Sequence, residues 1–167
     1  PNVEREDAEG VWPEPAMREL ARSGLLGLNV PDELGGHGLG LSALVGVAET
    51  LAQESPSAAL CFAMHCVGTA VIAARATDYQ KQAYLEPIAR GEHVTALAVS
   101  EPGTGAHFWI PQTMLSEDGE GYVLEGTKSF VTNGGHTAKS ILPEGGGDPL
   151  WTVVLADLTE QADPGAA

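Results

Sequence analysis

The hydrophobic periodicity of this chain changes once, close to its middle, and this change constrains the fold more than any other feature. In the first part, apolar residues such as Leu44, Ala48 and Leu51 recur at the 3.6-residue spacing of a helix that buries one face. In the second part, apolar and polar residues alternate, which is typical of half-buried strands. We therefore expect an α+β chain, with an N-terminal all-α helical domain at residues 1–92 and an antiparallel β middle domain, barrel-like or sandwich-like, at residues 93–167.

Glycine, proline and N-cap residues set the predicted ends of the elements. The helices are expected from Pro13 to Gly24, from the N-cap Ser42 to the breaker Glu54–Ser57, from about Ala58 to Ala76, and from Thr77 or Asp78 to near Gly91. The strands are expected at His93–Val99, Tyr122–Glu125, Lys128–Thr132 and Thr152–Ala156, with a hairpin turn at Glu117–Gly121 and a surface loop at Gly145–Pro149.

The charge balance excludes two classes of partner. The chain carries 8 basic and 23 acidic residues, for a net charge of −15. Because phosphate recognition depends on lysine and arginine, we expect neither a nucleic acid nor an anionic membrane surface as a partner. The uncharged stretch Ala58–Ala74 reaches the length of a membrane span, but it is rich in alanine and contains polar residues. We expect this stretch to be a helix buried in protein, and no membrane.

The two cysteines, Cys61 and Cys66, both fall in this predicted helix. Their separation corresponds to about 500° of helical rotation, so their side chains diverge by roughly 140° and cannot easily pair. We interpret both as small core residues. Nothing in the cysteine pattern indicates an oxidising compartment, and we expect a cytoplasmic location.

Several common site chemistries lack their motifs in this sequence. The five histidines are scattered along the chain: His37, His65, His93, His107 and His136. No two of them have the i, i+4 spacing of a helical metal site, so we predict no metal and interpret each as a core or surface residue. Ser100 lacks the flanking glycines of a nucleophile elbow. The glycine pattern that begins at Gly103 is not a dinucleotide fingerprint, because its third glycine position is Phe108.

Two segments of similar character predict a bound cofactor. The first segment, residues 96–107, is an alternating apolar run that ends at Ser100, a carboxylate, a proline and two glycines. The second segment, residues 128–135, ends in the same way at Thr132, an asparagine and two glycines. A hydroxyl at the end of a strand, followed by glycines that allow close backbone approach, is a common way to contact a flat ligand with polar edges.

These segments and two others resemble motifs of the acyl-CoA dehydrogenase family. The four matching stretches are Val30–Gly38, Asp78–Glu92, Ala98–Gly105 and Phe130–Gly134. They occur in the family's order. The resemblance implies a helical N-terminal domain, a β middle domain, and FAD bound between the middle domain and a C-terminal helical domain, which we expect to be absent from this chain.

The resemblance also implies contacts for the first segment. Leu97 and Val99 would offer backbone groups to the flavin, and the Ser100 hydroxyl would reach the edge of its ring. Gly105 and Ala106 would lie near the FAD pyrophosphate and the acyl-CoA substrate. The family commonly has Gly-Ser-Asp here, whereas this chain continues with alanine and histidine, which removes a hydroxyl.

In the second segment the resemblance implies three flavin-contacting residues. Phe130 takes the place of the usual tryptophan and would pack against the flavin, with Val131 next to it. Thr132 would donate a hydrogen bond near the nitrogen that accepts hydride. We nominate no catalytic residue, because the family's base is typically a glutamate of the C-terminal domain; Glu101 belongs to the first motif, where we expect it to order the loop.

The resulting hypothesis is a portion of an FAD-dependent acyl-CoA dehydrogenase of fatty acid metabolism. The resemblance implies an acyl-CoA substrate, a separate electron-transfer acceptor protein, and a homotetramer or homodimer. One alternative is a flavin monooxygenase or oxidase on the same fold, which rapid reoxidation of the reduced flavin by air would favour. Another is a non-catalytic scaffold that has lost FAD, which a colourless protein would indicate.

Overall fold

The computed structural model describes residues 3–105, 107, 109–119 and 121–134, with nothing stated for the side chain of Asp7. The predicted strand Thr152–Ala156 and the predicted loop Gly145–Pro149 lie outside these residues. Helices occupy the first part of the described chain and an antiparallel pair of strands lies in the second, so the predicted α+β order is confirmed.

The helical part contains α1 and α2, two 3-10 turns, the packed pair α3 and α4, and a final helical stretch. The bounds are α1 Val3–Glu9, α2 Glu14–Arg22, 3-10 turns at Leu25–Gly27 and Asp32–Leu34, α3 Leu41–Ala52, α4 Pro56–Arg75, α5 Asp78–Gln80, a π-helical turn at Lys81–Leu85, and α6 Glu86–Ala89. Helix α1 was not predicted from the sequence, because it is dominated by charged residues and presents no apolar stripe.

Helix α4 is the centre of the helical part. One face carries the buried residues Cys61, Phe62 and Cys66, which pack against Met17 and Leu26. Both cysteines are free and buried, as predicted. Burial raises the pKa of the Cys66 thiol to about 12, which keeps it protonated at neutral pH.

The other face of α4 is also apolar. Leu60, Val67 and Val71 point away from the core and are exposed. By length and composition the helix could cross a membrane, with a mean hydropathy of 1.8 over its most apolar window. Half of that window is nevertheless buried inside protein, and the core helix of a water-soluble protein meets the same criterion.

Two helix starts in the described chain, those of α4 and α5, are capped by a side chain. Ser55 caps α4 by accepting a hydrogen bond from the Ala58 amide. Thr77, one of the two residues predicted to begin the last helical stretch, forms a reciprocal capping box with Gln80. The prediction that Ser42 caps α3 is wrong: the cap is Gly40, with no side-chain bond, and Ser42 already lies inside the helix.

The loop between α2 and α3 depends on a glycine at position 36. Residues 37–39 donate backbone hydrogen bonds back to the carbonyls of Gly27, Val30 and Leu28, at 2.8–3.0 Å. This folds the loop onto itself so closely that a Cβ at Gly36 would lie 2.2 Å from the Val30 carbonyl oxygen. Only glycine fits at this close approach.

The β part of the described chain is a two-stranded antiparallel hairpin. Strand β1 (Met114–Asp118) pairs with β2 (Gly121–Glu125), so that Leu115 faces Leu124. The predicted turn and the predicted second strand are confirmed, and Gly119 at the turn has a φ of +63°. Strand β1 was missed, because two of its five residues are charged and none is buried, so it shows no alternation of apolar and polar residues.

Two predicted strands are not formed. Residues 93–99 have no regular secondary structure apart from a single bridge at Ala98. Their backbone groups bond to side chains instead: the Thr95 amide donates to His65 and the Thr95 carbonyl accepts from Asn133. Residues 128–132 are irregular, because the left-handed φ of +57° at Phe130 breaks the pleat.

Candidate functional site

A buried histidine joins the first segment to the helical core. Nε2 of His65 donates to the Leu26 carbonyl at 2.9 Å, and Nδ1 accepts from the Thr95 amide at 3.0 Å. Burial lowers the pKa of His65 to about 4, although the bond to the Leu26 carbonyl acts in the opposite direction. The ring is therefore neutral at physiological pH. Of the two roles predicted for the histidines, core or surface, His65 has the core role.

The described residues contain no group of three or more histidine, cysteine, aspartate or glutamate side chains that could hold a metal ion. His65 has both ring nitrogens bonded to protein atoms, which leaves it unsuited to coordination.

The first segment passes from buried to exposed along its length. Ala98 is buried against Leu124 and Val131, whereas Leu97, Val99 and Ser100 are half-buried. The chain then turns, and Gly105 is exposed with a φ of +53° and open space where a Cβ would point. Ala106, predicted to contact both cofactor and substrate, lies outside the described residues.

Glu101, only 4% exposed, is the centre of a buried polar cluster. Its Oε1 accepts from Lys128 Nζ at 2.6 Å and from the hydroxyl and amide of Thr113 at 2.6 and 3.1 Å. Its Oε2 accepts from the Gln112 amide. We call these four residues the Glu101 cluster. They connect the end of the first segment to the start of β1 and to the second segment, as the predicted loop-ordering role requires.

The donors in this cluster determine the protonation state of Glu101. Burial acts to raise the pKa of the Glu101 carboxyl, but the hydrogen bonds from Lys128 and then from Thr113 and Gln112 outweigh it and lower the pKa to about 2. The carboxylate is therefore ionised and saturated with donors at neutral pH. Such a group holds a loop in place and is not available as a proton acceptor.

The second segment lies beside the first. The Ser129 amide donates to the Ser100 carbonyl at 2.8 Å, and Lys128 Nζ approaches the Val99 carbonyl at 3.4 Å in addition to its bond with Glu101. The structure thus brings Val99 and Ser100, predicted from one motif, next to Ser129, in the other motif and adjacent to Phe130.

The three predicted residues of the second segment differ in exposure. Phe130 is 94% exposed, whereas Val131 packs against Ala98 and Thr132 is half-buried. Asn133 follows with a φ of +66° and a buried side chain. Its amide donates to two backbone carbonyls and its oxygen accepts from an indole N–H.

These groups fit a flat ring with a polar edge. Phe130 offers an uncovered aromatic surface, and Ser100 and Thr132 place hydroxyls on the two adjoining segments. The ammonium of Lys128, beside these groups in the second segment, is paired with Glu101. This donor set suits the flavin ring of FAD better than a phosphate.

Sequence reasoning missed the residues that hold these segments in place. Lys128, Thr113 and Gln112 were given no role, and neither were Trp12 and Asn133. A charged residue within an apolar motif, as Lys128 is, is the one signal that points to a buried partner. Trp12 gives no such signal, since its partner lies 121 residues away in the sequence.

Comparison with known proteins identifies the family. Residues 1–92 match the family model described as acyl-CoA dehydrogenase, N-terminal domain. The chain is 32% identical to the 3-(aryl)acrylate reductase of Clostridium sporogenes over 134 residues, 79% of this chain and 35% of that protein. It is 34% identical to the mitochondrial isovaleryl-CoA dehydrogenase of Solanum tuberosum over 139 residues, 80% of this chain and 33% of that protein.

A solved structure agrees with these relatives. The acyl-CoA dehydrogenase of Bacillus anthracis complexed with FAD superposes with a TM-score of 0.71 at 31% identity, covering 84% of this chain and 25% of that one. The chain spans about a third of the length of the curated relatives it matches. On the match over residues 1–92 and the resemblance of its two segments, the chain belongs to the acyl-CoA dehydrogenase family.

Proposed function

We propose that this chain forms one wall of the FAD site of an acyl-CoA dehydrogenase that converts an acyl thioester to its α,β-enoyl thioester. The observation that carries the proposal is the pairing of the two segments through the Ser129 amide and the Ser100 carbonyl. This pairing sets Ser100 beside the residues of the second segment. Residues 1–92 are proposed as the helical domain and residues 93–167 as part of the middle domain.

In this proposal FAD, when bound, would supply the acceptor for the hydride of the substrate's β-carbon, while a carboxylate base, for which we nominate no residue of this chain, takes the α-proton. The chain's own residues bind and orient the ring. Ser100 and Thr132 donate hydrogen bonds to the polar edge of the ring, where negative charge increases on reduction. Donors held on rigid backbone stabilise that negative charge without having to rearrange. Phe130 excludes water from one face of the ring. Leu97, Val99, Val131, Gly105 and Ala106 complete the proposed contacts.

A second candidate reaction runs in the opposite direction. The Clostridium sporogenes relative is a reductase of 3-(aryl)acrylates, at 32% identity. The same residues would hold the ring, and a reduced flavin would supply the hydride for an activated double bond whose other carbon takes a proton. Apart from Gly105 and Ala106, which are also proposed to lie near the substrate, the proposed contacts are to the ring and do not distinguish the two directions.

The experiment uses the full-length polypeptide that carries this sequence, purified and incubated with FAD. We expect a yellow protein whose flavin bleaches when an acyl-CoA is added without oxygen, with an enoyl-CoA as the product and a dye or acceptor protein reoxidising the flavin. A protein that stays colourless with added FAD contradicts both reactions and supports the scaffold alternative. Rapid reoxidation by air indicates an oxidase or monooxygenase. Bleaching by reductant followed by recovery with an acrylate, and none with an acyl-CoA, indicates the reductase.

The assembly, acceptor and location follow as parts of the same proposal. We propose a homotetramer or homodimer, an electron-transfer protein as acceptor, a role in fatty acid metabolism, and a cytoplasmic location, with no nucleic acid or membrane partner. The net charge of −15 supports the absence of a nucleic acid or membrane partner, and the two free, buried cysteines support the cytoplasmic location. Size-exclusion chromatography with light scattering tests the assembly, and cell fractionation tests the location.

A further inference from the structure

Asn133 is bonded to three parts of the chain that are remote in sequence. Its Nδ2 donates to the carbonyl oxygen of Cys61, within α4, at 2.9 Å. It also donates to the carbonyl oxygen of Thr95, the residue before the first segment, at 3.1 Å. Its Oδ1 accepts from Nε1 of Trp12 at 3.0 Å. The residue is 4% exposed. Both donors and the acceptor of the amide are used, so its orientation is fixed. We call Trp12, Cys61, Thr95 and Asn133 the Asn133 junction.

Trp12 belongs to neither segment, since it precedes α2. Its ring packs against the core cluster that contains Met17 and Phe62. Burial raises the pKa of the Cys61 thiol, and a hydrogen bond with the Trp12 side chain opposes that rise. The indole is therefore held by the helical core, and its single N–H lies between the Cys61 thiol and the Asn133 amide oxygen.

Residues 130–132 lie between this junction and the Ser129 to Ser100 backbone bond. Both Phe130 and Asn133 have left-handed backbone conformations, with φ of +57° and +66°. A bulky residue such as phenylalanine adopts this conformation only where its surroundings impose it, and Phe130 itself, 94% exposed, has little packing to do so. The conformation is imposed from the two ends of the span.

We propose that Trp12, acting through Asn133, is a positioning residue for the flavin-binding surface of Phe130–Thr132. The inference rests on the proposed function, since FAD is the ligand that this surface would bind. With the junction intact, the span is held in one conformation before the ring arrives. Without it, binding must order the span, and ordering one residue costs about as much as a tenfold loss of affinity.

The test compares Trp12→Phe and Asn133→Gly in the full-length protein. Trp12→Phe keeps an aromatic ring but removes the N–H. Asn133→Gly removes the side-chain bonds but keeps the left-handed conformation, which glycine adopts freely. Tyr122→Phe, an exposed aromatic change on β2, is the control. We expect the FAD dissociation constant to rise about tenfold in both test variants and not in the control. We also expect an altered visible circular dichroism of the flavin at saturating FAD.

The double variant identifies the route of the effect. If Trp12 acts through Asn133, Trp12→Phe/Asn133→Gly binds FAD no more weakly than Asn133→Gly alone. Losses that multiply overturn the inference, as does wild-type affinity in Trp12→Phe. A wild-type flavin spectrum at saturation, with affinity reduced only in step with the melting temperature of the apoprotein, shows a merely structural role and also overturns it.

Should Asn133→Gly fail to fold, the flavin spectrum of Trp12→Phe at saturating FAD decides. A wild-type protein that binds no FAD refutes the proposed function itself, a result distinct from FAD binding that is insensitive to Trp12.

Discussion

The two polar anchors of the candidate site use different chemistry. The Glu101 cluster, which joins the first segment to Lys128 of the second, is charged and contains a buried ion pair between Glu101 and Lys128. The Asn133 junction, at the end of the second segment, is made of neutral groups only. An ion pair is strong only while both charges are present, whereas a neutral amide has no charge to lose. The Glu101 cluster should therefore respond to charge substitutions and acid, and the Asn133 junction to the loss of individual donors.

The largest expected effect comes from breaking the ion pair of the Glu101 cluster. Lys128→Met leaves the buried Glu101 carboxylate without its cation, and we expect the free energy of unfolding to fall by about 4 kcal/mol. Urea denaturation measures it. Lys81→Met is the matched control, because its partner Asp78 is exposed, and we expect no measurable change there.

A double variant separates charge from packing at the same place. Glu101→Leu/Lys128→Met removes both charges, and we expect it to be more stable than Lys128→Met alone. If the double variant is the less stable of the two, the hydrogen bonds from Thr113 and Gln112 matter more than the ion pair, and the Glu101 cluster does not differ from the Asn133 junction in the way expected.

The next prediction concerns the pH dependence of stability, to which His65 and Glu101 contribute in different pH ranges. The folded pKa of His65 is about 4, below its ordinary 6.5, so the unfolded chain binds more protons and stability falls as pH drops from 6.5 towards 4. The folded pKa of Glu101 is about 2, below its ordinary 4.5, so its contribution, present above 4.5, is lost as pH falls from 4.5 towards 2. We expect the protonation of His65 between pH 6.5 and 4 to lower the free energy of unfolding by roughly 3 kcal/mol.

His65→Leu tests this assignment. It should remove the loss between pH 6.5 and 4 while keeping the loss at lower pH, and its stability at pH 7 should be lower by about 3 kcal/mol because the Thr95 amide and the Leu26 carbonyl lose a partner. Denaturant titrations from pH 7 to 3 provide the measurement. An unchanged curve between pH 6.5 and 4 would mean that His65 is not the group that titrates.

A smaller effect is expected on the proposed flavin contact of the first segment. Ser100→Ala removes one hydroxyl donor, and we expect FAD affinity to fall about fivefold, equivalent to about 1 kcal/mol, with little change in stability. Fluorescence titration with FAD measures the change. Ser116→Ala, on exposed β1, is the control and should bind as the wild type does. Equal affinity in both variants would remove Ser100 from the proposed contacts.

The smallest expected effect on stability is an increase. Phe130→Gly places glycine where the backbone is left-handed and the side chain is exposed, so we expect the apoprotein to gain about 0.5 kcal/mol while FAD affinity falls. Thermal unfolding without FAD and titration with FAD give the two values. A loss of both would show that Phe130 packs in the apoprotein, contrary to its exposure.

The features that sequence reasoning identified are those with local causes. The capping of the last helical stretch by Thr77, the hairpin turn near Gly119, and the buried state of Cys61 and Cys66 each follow from residues within a few positions. The loop-ordering role of Glu101 was predicted from its place in a motif, although its partners were not.

The features that it missed depend on contacts between distant residues. Residues 93–99 alternate as a strand does, yet His65 and Asn133 take the hydrogen bonds that a neighbouring strand would have made. Helix α1 has no apolar periodicity to reveal it. Alternation predicts an extended backbone, but it does not predict which group will satisfy that backbone.

The sequence by itself determined the order of helices and strands, the family, and the two segments from which the candidate site is built, because periodicity and short motifs are local properties of a chain. Only the tertiary structure decided how the segments are held. The pairs Glu101 with Lys128 and Trp12 with Asn133 are separated by 27 and 121 residues, and their bonds exist only after the helical core has placed them together. Burial of these polar groups in protein, where hydrogen bonds are stronger and unpaired groups more costly than in water, makes one arrangement of the site more stable than its alternatives.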